Sequence, residues 1–399
     1  MAKRTWIGGD SKQAQTESFE VTVGHASDTY DFLVTNESGT LVIDAGVISG
    51  AGHATEATVA TNMANAWNNS THPLTLGITA TTSDETVTLT SNADTVGIPF
   101  YVKAAVAGGN GGTIDGVTSS DGDITQANRG PHDWNDPNNW REGQVPVATV
   151  HVAITGSIPI QYGFDQSGVA LGEFTTVPGS SVPIGNETHW LRIDPDAFYW
   201  HGTGTSYVDL GLTSITDTTP TVFTTGGGPG VTSGGLYYKH SSTGGLVVYG
   251  GNVKLAITGG DNMTLGELVV RGGYVQLGSS AKVLTLTQFG GEILSQSIMA
   301  DSPRDVFMYG GVCTLDLGGT ETVASATIEG GTLIANNDGT ITTLHAKGGR
   351  FSNLDSHREL TVTTFNANAS AALDLNMNLL TLTNGIALTG RSRVTLDTV

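Results

Sequence analysis

The chain has 399 residues, 55 of them glycine and only 14% charged, a composition that suits an all-β protein with many tight turns. It excludes a coiled coil and also a collagen, whose glycines would recur at every third position. The 37 acidic against 17 basic residues give a net charge of −20, which repels phosphates and argues against a role on DNA or RNA.

Taken in chain order, the opening Met1–Asp10 is basic but has no apolar stretch behind it, so export through a signal peptide is not expected. No run is apolar enough for a membrane helix, and Cys313, alone of its kind, cannot form an internal disulfide. The segments 19–23, 29–34, 76–80, 86–90 and 98–102 read as strands. Between them, 54–68 is a helix, because Val59, Met63 and Trp67 recur at steps of four with Ala60 and Ala64 beside them. Residues 1–107 are therefore expected to form an α+β docking domain. A Gly/Ser/Asp-rich linker follows over 108–144, marked by the stretches 108–116 and 119–126. Early strands are expected at 150–154 and 191–193.

From there the sequence repeats. Gly-Gly pairs begin at Gly250, Gly272, Gly290, Gly310, Gly330 and Gly348, at spacings of 18 to 22 residues. Two residues past each pair lies an apolar residue: Val253, Val275, Ile293, Cys313, Leu333 and Phe351. Mixed residue types flank that column, which is the period-2 mark of a strand with one buried face. A second strand precedes each pair, as in Ala326-Thr327-Ile328. A unit of about 20 residues cannot bury its apolar face alone, but stacked units can. The expected fold over 145–399 is a right-handed parallel β-helix, a β-solenoid of about a dozen coils. A β-propeller, the alternative, needs blades of about 40 residues and hairpin turns.

Two segments carry a resemblance. The run Phe19-Glu-Val-Thr-Val, Thr29-Tyr-Asp-Phe, the helix with Ala60-x-x-Met63-Ala-x-Ala66-Trp67, Val87-Thr-Leu-Thr and Gly97-Ile-Pro-Phe100 resembles a small module of tailed-bacteriophage structural proteins. Trp134-Asn-Asp-Pro-Asn-Asn-Trp140, followed by Val145-Pro146 and Val150-His-Val-Ala-Ile154, resembles the opening of β-helical surface proteins and autotransporter passengers. The resemblance implies a virion protein, made in the host cytoplasm and released by lysis. It would be a head decoration or spike protein, with capsid or tail proteins as partners and no catalysis, cofactor or membrane insertion. The alternatives are a tail fibre or tailspike that binds or cleaves surface polysaccharide, and a bacterial surface adhesin.

Few residues suggest chemistry. Cys313 falls in the inward column, where packing explains it and no histidine stands beside it. Paired carboxylates of glycosidase type could come from Glu292 with Asp316 or Glu321 with Glu329, though neither pair shares a column. Phe198, Tyr199, Trp200 and His201, with Tyr237 and Tyr238, offer either a host-glycan stacking surface or burial beneath a loop or subunit contact. Asp133, Asn135, Asp136 and Asn138 hold oxygen ligands suited to Ca²⁺, but Asx-turn chemistry explains them as well, so no metal is expected. The run 226–230 follows no phosphate-loop pattern. At the far end, 393–399 reads as a strand still in step with the repeat. Val394 and Leu396 there would head an open edge that invites a homo-oligomer, with a trimer as the leading arrangement.

Overall fold

The computed structural model describes residues 2–9, 16–25, 27–35, 42–44, 48–49, 55–70, 77–91, 100–115, 131–210, 235–240, 245–257, 263–295, 303–317, 321–336, 338–354, 358–368, 370–389 and 393–397. The chain divides into two units. One comprises Met1–Trp6, Pro146–Ser157 and Phe164–Val399; the other comprises Ile7–Val145 and Ile158–Gly163.

The second of these units holds the helix. Glu56–Asn69 begins at Thr55, whose hydroxyl accepts from the Thr58 N–H and so satisfies one of the free donors of the first turn. Its apolar face, Val59, Ala60, Met63, Ala64 and Trp67, is buried in one cluster with Phe19, Val21, Val87 and Leu89. The Trp67 indole donates to the Ile78 carbonyl at 2.7 Å, so the largest ring of the face is also polar-satisfied. An antiparallel sheet runs in the order Ile78–Ser83, Thr86–Ser91, Thr16–Val23 and Thr113–Asp115. A second sheet sets Thr29–Thr35 against Tyr101–Ala107 and the short strands Val42–Asp44 and Ile48–Ser49.

Two expected boundaries shift. Of the 108–116 stretch, the described residues 108–115 make a glycine turn and then the strand Thr113–Asp115, which pairs with Thr16–Val23. Asp28 fixes that turn, accepting from the Gly112 N–H at 2.8 Å and from the Asn110 side chain at 2.8 Å. Burial raises the Asp28 carboxyl, but the hydrogen bonds from Asn110 and Gly112 outweigh it and hold the group below the ordinary aspartate value. The other shift concerns Lys3–Trp6, which pairs in parallel with His151–Ile154 and so lies with the coils. The 119–126 stretch lies outside the described residues.

The larger unit is a parallel β-solenoid of about ten turns from residue 151 to 389, with about 20 residues per coil. A four-stranded ladder joins Lys3–Trp6, His151–Ile154, Glu173–Thr176 and Phe198–Tyr199. A twelve-stranded parallel sheet runs from Asp165–Leu171 to Arg393–Asp397, and a nine-stranded one from Gly245–Val248 to the strands Leu380–Leu382 and Ile386–Thr389. The column read from the sequence is real: Val253, Val275, Ile293, Cys313, Leu333 and Phe351 oppose one another in register and are fully buried.

Each Gly-Gly pair turns the chain from the second sheet into the long one, and its two glycines are required for different reasons. At Gly310 an added Cβ would come within 2.5 Å of the Phe289 carbonyl, so the previous coil leaves no room for it. Gly311 has φ +82 as well, and its Cβ would meet the Gly291 carbonyl at 2.5 Å. The close approach lets backbone pairing continue round the corner: the Tyr309 N–H donates to Gln288 and the Val312 N–H to Gly291. Gln288, fully buried in an otherwise apolar column, adds side-chain donation to the Gly291 and Val312 carbonyls at 3.1 and 3.0 Å.

Candidate functional surface

Apart from Glu329, the residues before the Gly-Gly pairs were not singled out by the sequence, because no single residue type recurs among them: Tyr249, Arg271, Phe289, Tyr309, Glu329 and Lys347. Register brings them into one exposed column, since the residues just before them pair strand to strand. Tyr249, Phe289 and Tyr309 are 44–46% exposed, a large fraction for rings of this size. The Arg271 guanidinium lies between two of them, 5.5 Å from the Tyr249 ring centroid and 4.9 Å from that of Phe289. Phe289 and Tyr309 stack at 5.0 Å with their planes 12° apart, and Lys347 pairs with Glu329 at 3.2 Å. The stack covers ring faces and turns ring edges outward.

The earlier coils carry different outward columns. Asp165, Arg192, Asp209 and Lys239 follow one another in register with alternating charge, Arg192 and Lys239 each lying 3.6 Å from Asp209. Beside them Tyr207 stacks on Tyr237 at 4.3 Å, and the Lys254 ammonium donates to the Tyr237 hydroxyl at 2.7 Å. Burial, with Tyr237 alongside, pushes the Tyr207 hydroxyl up to about 12.

The aromatic residues expected as a contact surface separate. Phe198, Trp200 and Tyr238 are buried inside the coils, where Phe198 stacks on Phe174 at 5.3 Å and lies 6.1 Å from Tyr238. They cannot stack on a glycan. Tyr199 and Tyr237 are half-buried and face outward, as alternation along a strand requires. Cys313 is fully buried, and burial pushes its thiol up to about 12, far from a nucleophile's range. Glu292 opposes Val312 while Asp316 opposes Asn336, so these two carboxylates stand at opposite ends of adjacent strands. Glu321 and Glu329 flank the two ends of Thr322–Ile328.

The Asp133 to Asn138 segment uses its oxygens locally. Asp133 accepts from the Asn135 N–H at 2.9 Å and Asp136 from the Asn138 N–H at 3.0 Å, both Asx turns. Between them the Trp140 indole donates to the Trp134 carbonyl at 2.8 Å, and the two rings meet edge to face. Among the described residues no group of three or more His, Cys, Asp or Glu could hold a metal ion. The run 226–230 lies outside the described residues. The Arg393–Asp397 backbone does pair with Ala372–Asn376, placing Val394 opposite Leu373 and Leu396 opposite Leu375.

No family model matches the chain, and the searches of curated proteins and of solved structures also find no match.

Proposed function

We propose that the chain is a non-enzymatic structural protein, a head decoration or spike of a tailed-phage particle. Its solenoid serves as a stiff rod and its helix-containing unit serves for docking. One observation carries the structural reading: in two outward columns the side chains of successive coils contact one another, rung by rung. The Asp165–Arg192–Asp209–Lys239 column and the Tyr249–Arg271–Phe289–Tyr309 stack brace neighbouring coils. Catalysis would instead need groups converging on one reacting atom. The phage setting rests on the sequence resemblance of the N-terminal segment.

The polysaccharide-binding alternative loses its main candidate surface, because three of the five aromatic residues it needs are interior. The test is location. Particles purified from a producing culture and imaged by electron microscopy with a labelled chain should carry it on the head or tail. Recovery of the chain solely from host membranes would overturn the reading.

A further inference from the structure

The corner column has an order that fits a second copy of itself. Along the solenoid it reads Tyr249, Arg271, Phe289, Tyr309, Glu329, Lys347, with one rung per coil and all six side chains exposed. We propose that this column is a self-association surface, on which two chains lie side by side and antiparallel about a two-fold axis passing between the Phe289 and Tyr309 rungs.

That operation brings Arg271 of each copy opposite Glu329 of the other. It sets Phe289 opposite Tyr309 at the centre and Tyr249 opposite Lys347 at the ends, an aromatic ring facing a cation. All three pairings are favourable. A parallel arrangement in register would instead set Arg271 against Arg271 and Glu329 against Glu329. Within one chain Arg271 and Glu329 are three rungs apart, on the order of 14 Å; Glu329 pairs there with Lys347 at 3.2 Å and on association is shared between Lys347 and the partner's Arg271.

The composition fits as well. Tyr, Phe and Arg are enriched in the buried cores of protein interfaces, and Arg271 is already held between two rings, so little side-chain freedom is lost on pairing. Val312, 39% exposed just past the Gly310–Gly311 corner, extends the apolar strip sideways. Six rungs make a strip about 25 Å long, at the small end of specific interfaces, so the pairing is weak and reversible. It is two-fold, where the sequence suggested a trimer, and it does not depend on where the chain works.

Analytical ultracentrifugation of the purified full chain tests it. Wild-type protein should self-associate to a dimer with Kd on the order of 10–100 µM, more weakly as salt is raised. R271E or E329R alone sets like charges opposite each other on both sides of the two-fold axis, and each should weaken association by more than about tenfold. An equimolar mixture of the two should recover wild-type affinity, because every opposed pair is then of opposite sign. Circular dichroism checks that both variants fold. If either reversal disturbs folding, the neutral R271Q and E329Q take its place and should weaken association less. A wild-type chain that stays monomeric to several hundred micromolar, association untouched by both reversals, or a mixture no tighter than its parts would each overturn the proposal.

Discussion

The early coils, up to about residue 240, and the later ones, from Gly245 onward, fill the same kind of solenoid by different means. Early on, the interior holds large rings: Phe174, Phe198, Trp200 and Tyr238 form one interlocked group. Later it is mostly Val, Leu and Ile in register, with Phe351 and Phe365 as an edge-to-face exception. The turns differ too. Gly156 and Gly179 have φ of +85 and +83 but open space where a Cβ would go, whereas the later Gly-Gly corners are closed against the coil before, as Gly172 and Gly204 are among the early turns. Interchangeable aliphatic rungs permit a regular repeat. Interlocked rings fix each early coil individually, so its length is free to vary.

Substitutions should separate these two solutions. Phe198→Ala removes the hub of the early ring group and should cost about 3–5 kcal/mol, read by denaturant unfolding. Hydrogen exchange should show the loss concentrated in the coils of Phe174 and Tyr238, since coils couple chiefly to their neighbours. A loss spread evenly to residue 389 would mean that the two regions are one cooperative block. Next in size, Gly311→Ala should cost about 3 kcal/mol, combining a left-handed backbone with a blocked Cβ. Gly179→Ala meets only the backbone term and should cost about 1 kcal/mol. Equal costs would show that crowding at the corners contributes nothing.

Cys313→Ser puts a hydroxyl into the later aliphatic column without a partner and should cost about 1–3 kcal/mol in the same assay. The smallest effects are electrostatic and opposite in sign. In an early coil, the Ser167 side chain, together with the Ser167 N–H and Arg192, holds the Asp165 carboxyl below its usual range against partial burial. Its contribution is present above about pH 4 and lost as pH falls through the lowered folded value. In a later coil, partial burial and Asp338 lift Asp316, so its ionised form costs stability that is relieved as pH falls through the raised value. Thermal melts at neutral pH should find Asp165→Asn slightly less stable and Asp316→Asn slightly more stable, each by under about 1 kcal/mol.

The later coils were largely legible in the sequence because their two signals are local: a Gly-Gly pair at each corner and an apolar residue two positions on. The outer column was not. Tyr249, Arg271, Phe289, Tyr309, Glu329 and Lys347 have no single residue type in common, and only the stacking of coils gives them a common address. Alternation could have parted the aromatic candidates, since Phe198 and Trp200 must share a face that Tyr199 does not, and Tyr237 and Tyr238 must oppose each other. The pairing of Lys3–Trp6 with His151–Ile154 left no trace that could be read, for a four-residue strand with two basic side chains resembles an ordinary surface segment.

That short strand has a consequence for the order of assembly. Its partner lies about 150 positions further along the chain. At ordinary rates of synthesis the partner follows after on the order of ten seconds, so Trp6, fully buried in the finished fold, must wait in solvent. Closing so long a loop costs only about 0.6 kcal/mol more than closing one half its length, and the penalty falls on speed rather than on final stability. The ladder that opens the solenoid is thus completed only after the intervening unit has left the ribosome. A slow-folding intervening unit would prolong the exposure of that tryptophan to chaperones and proteases.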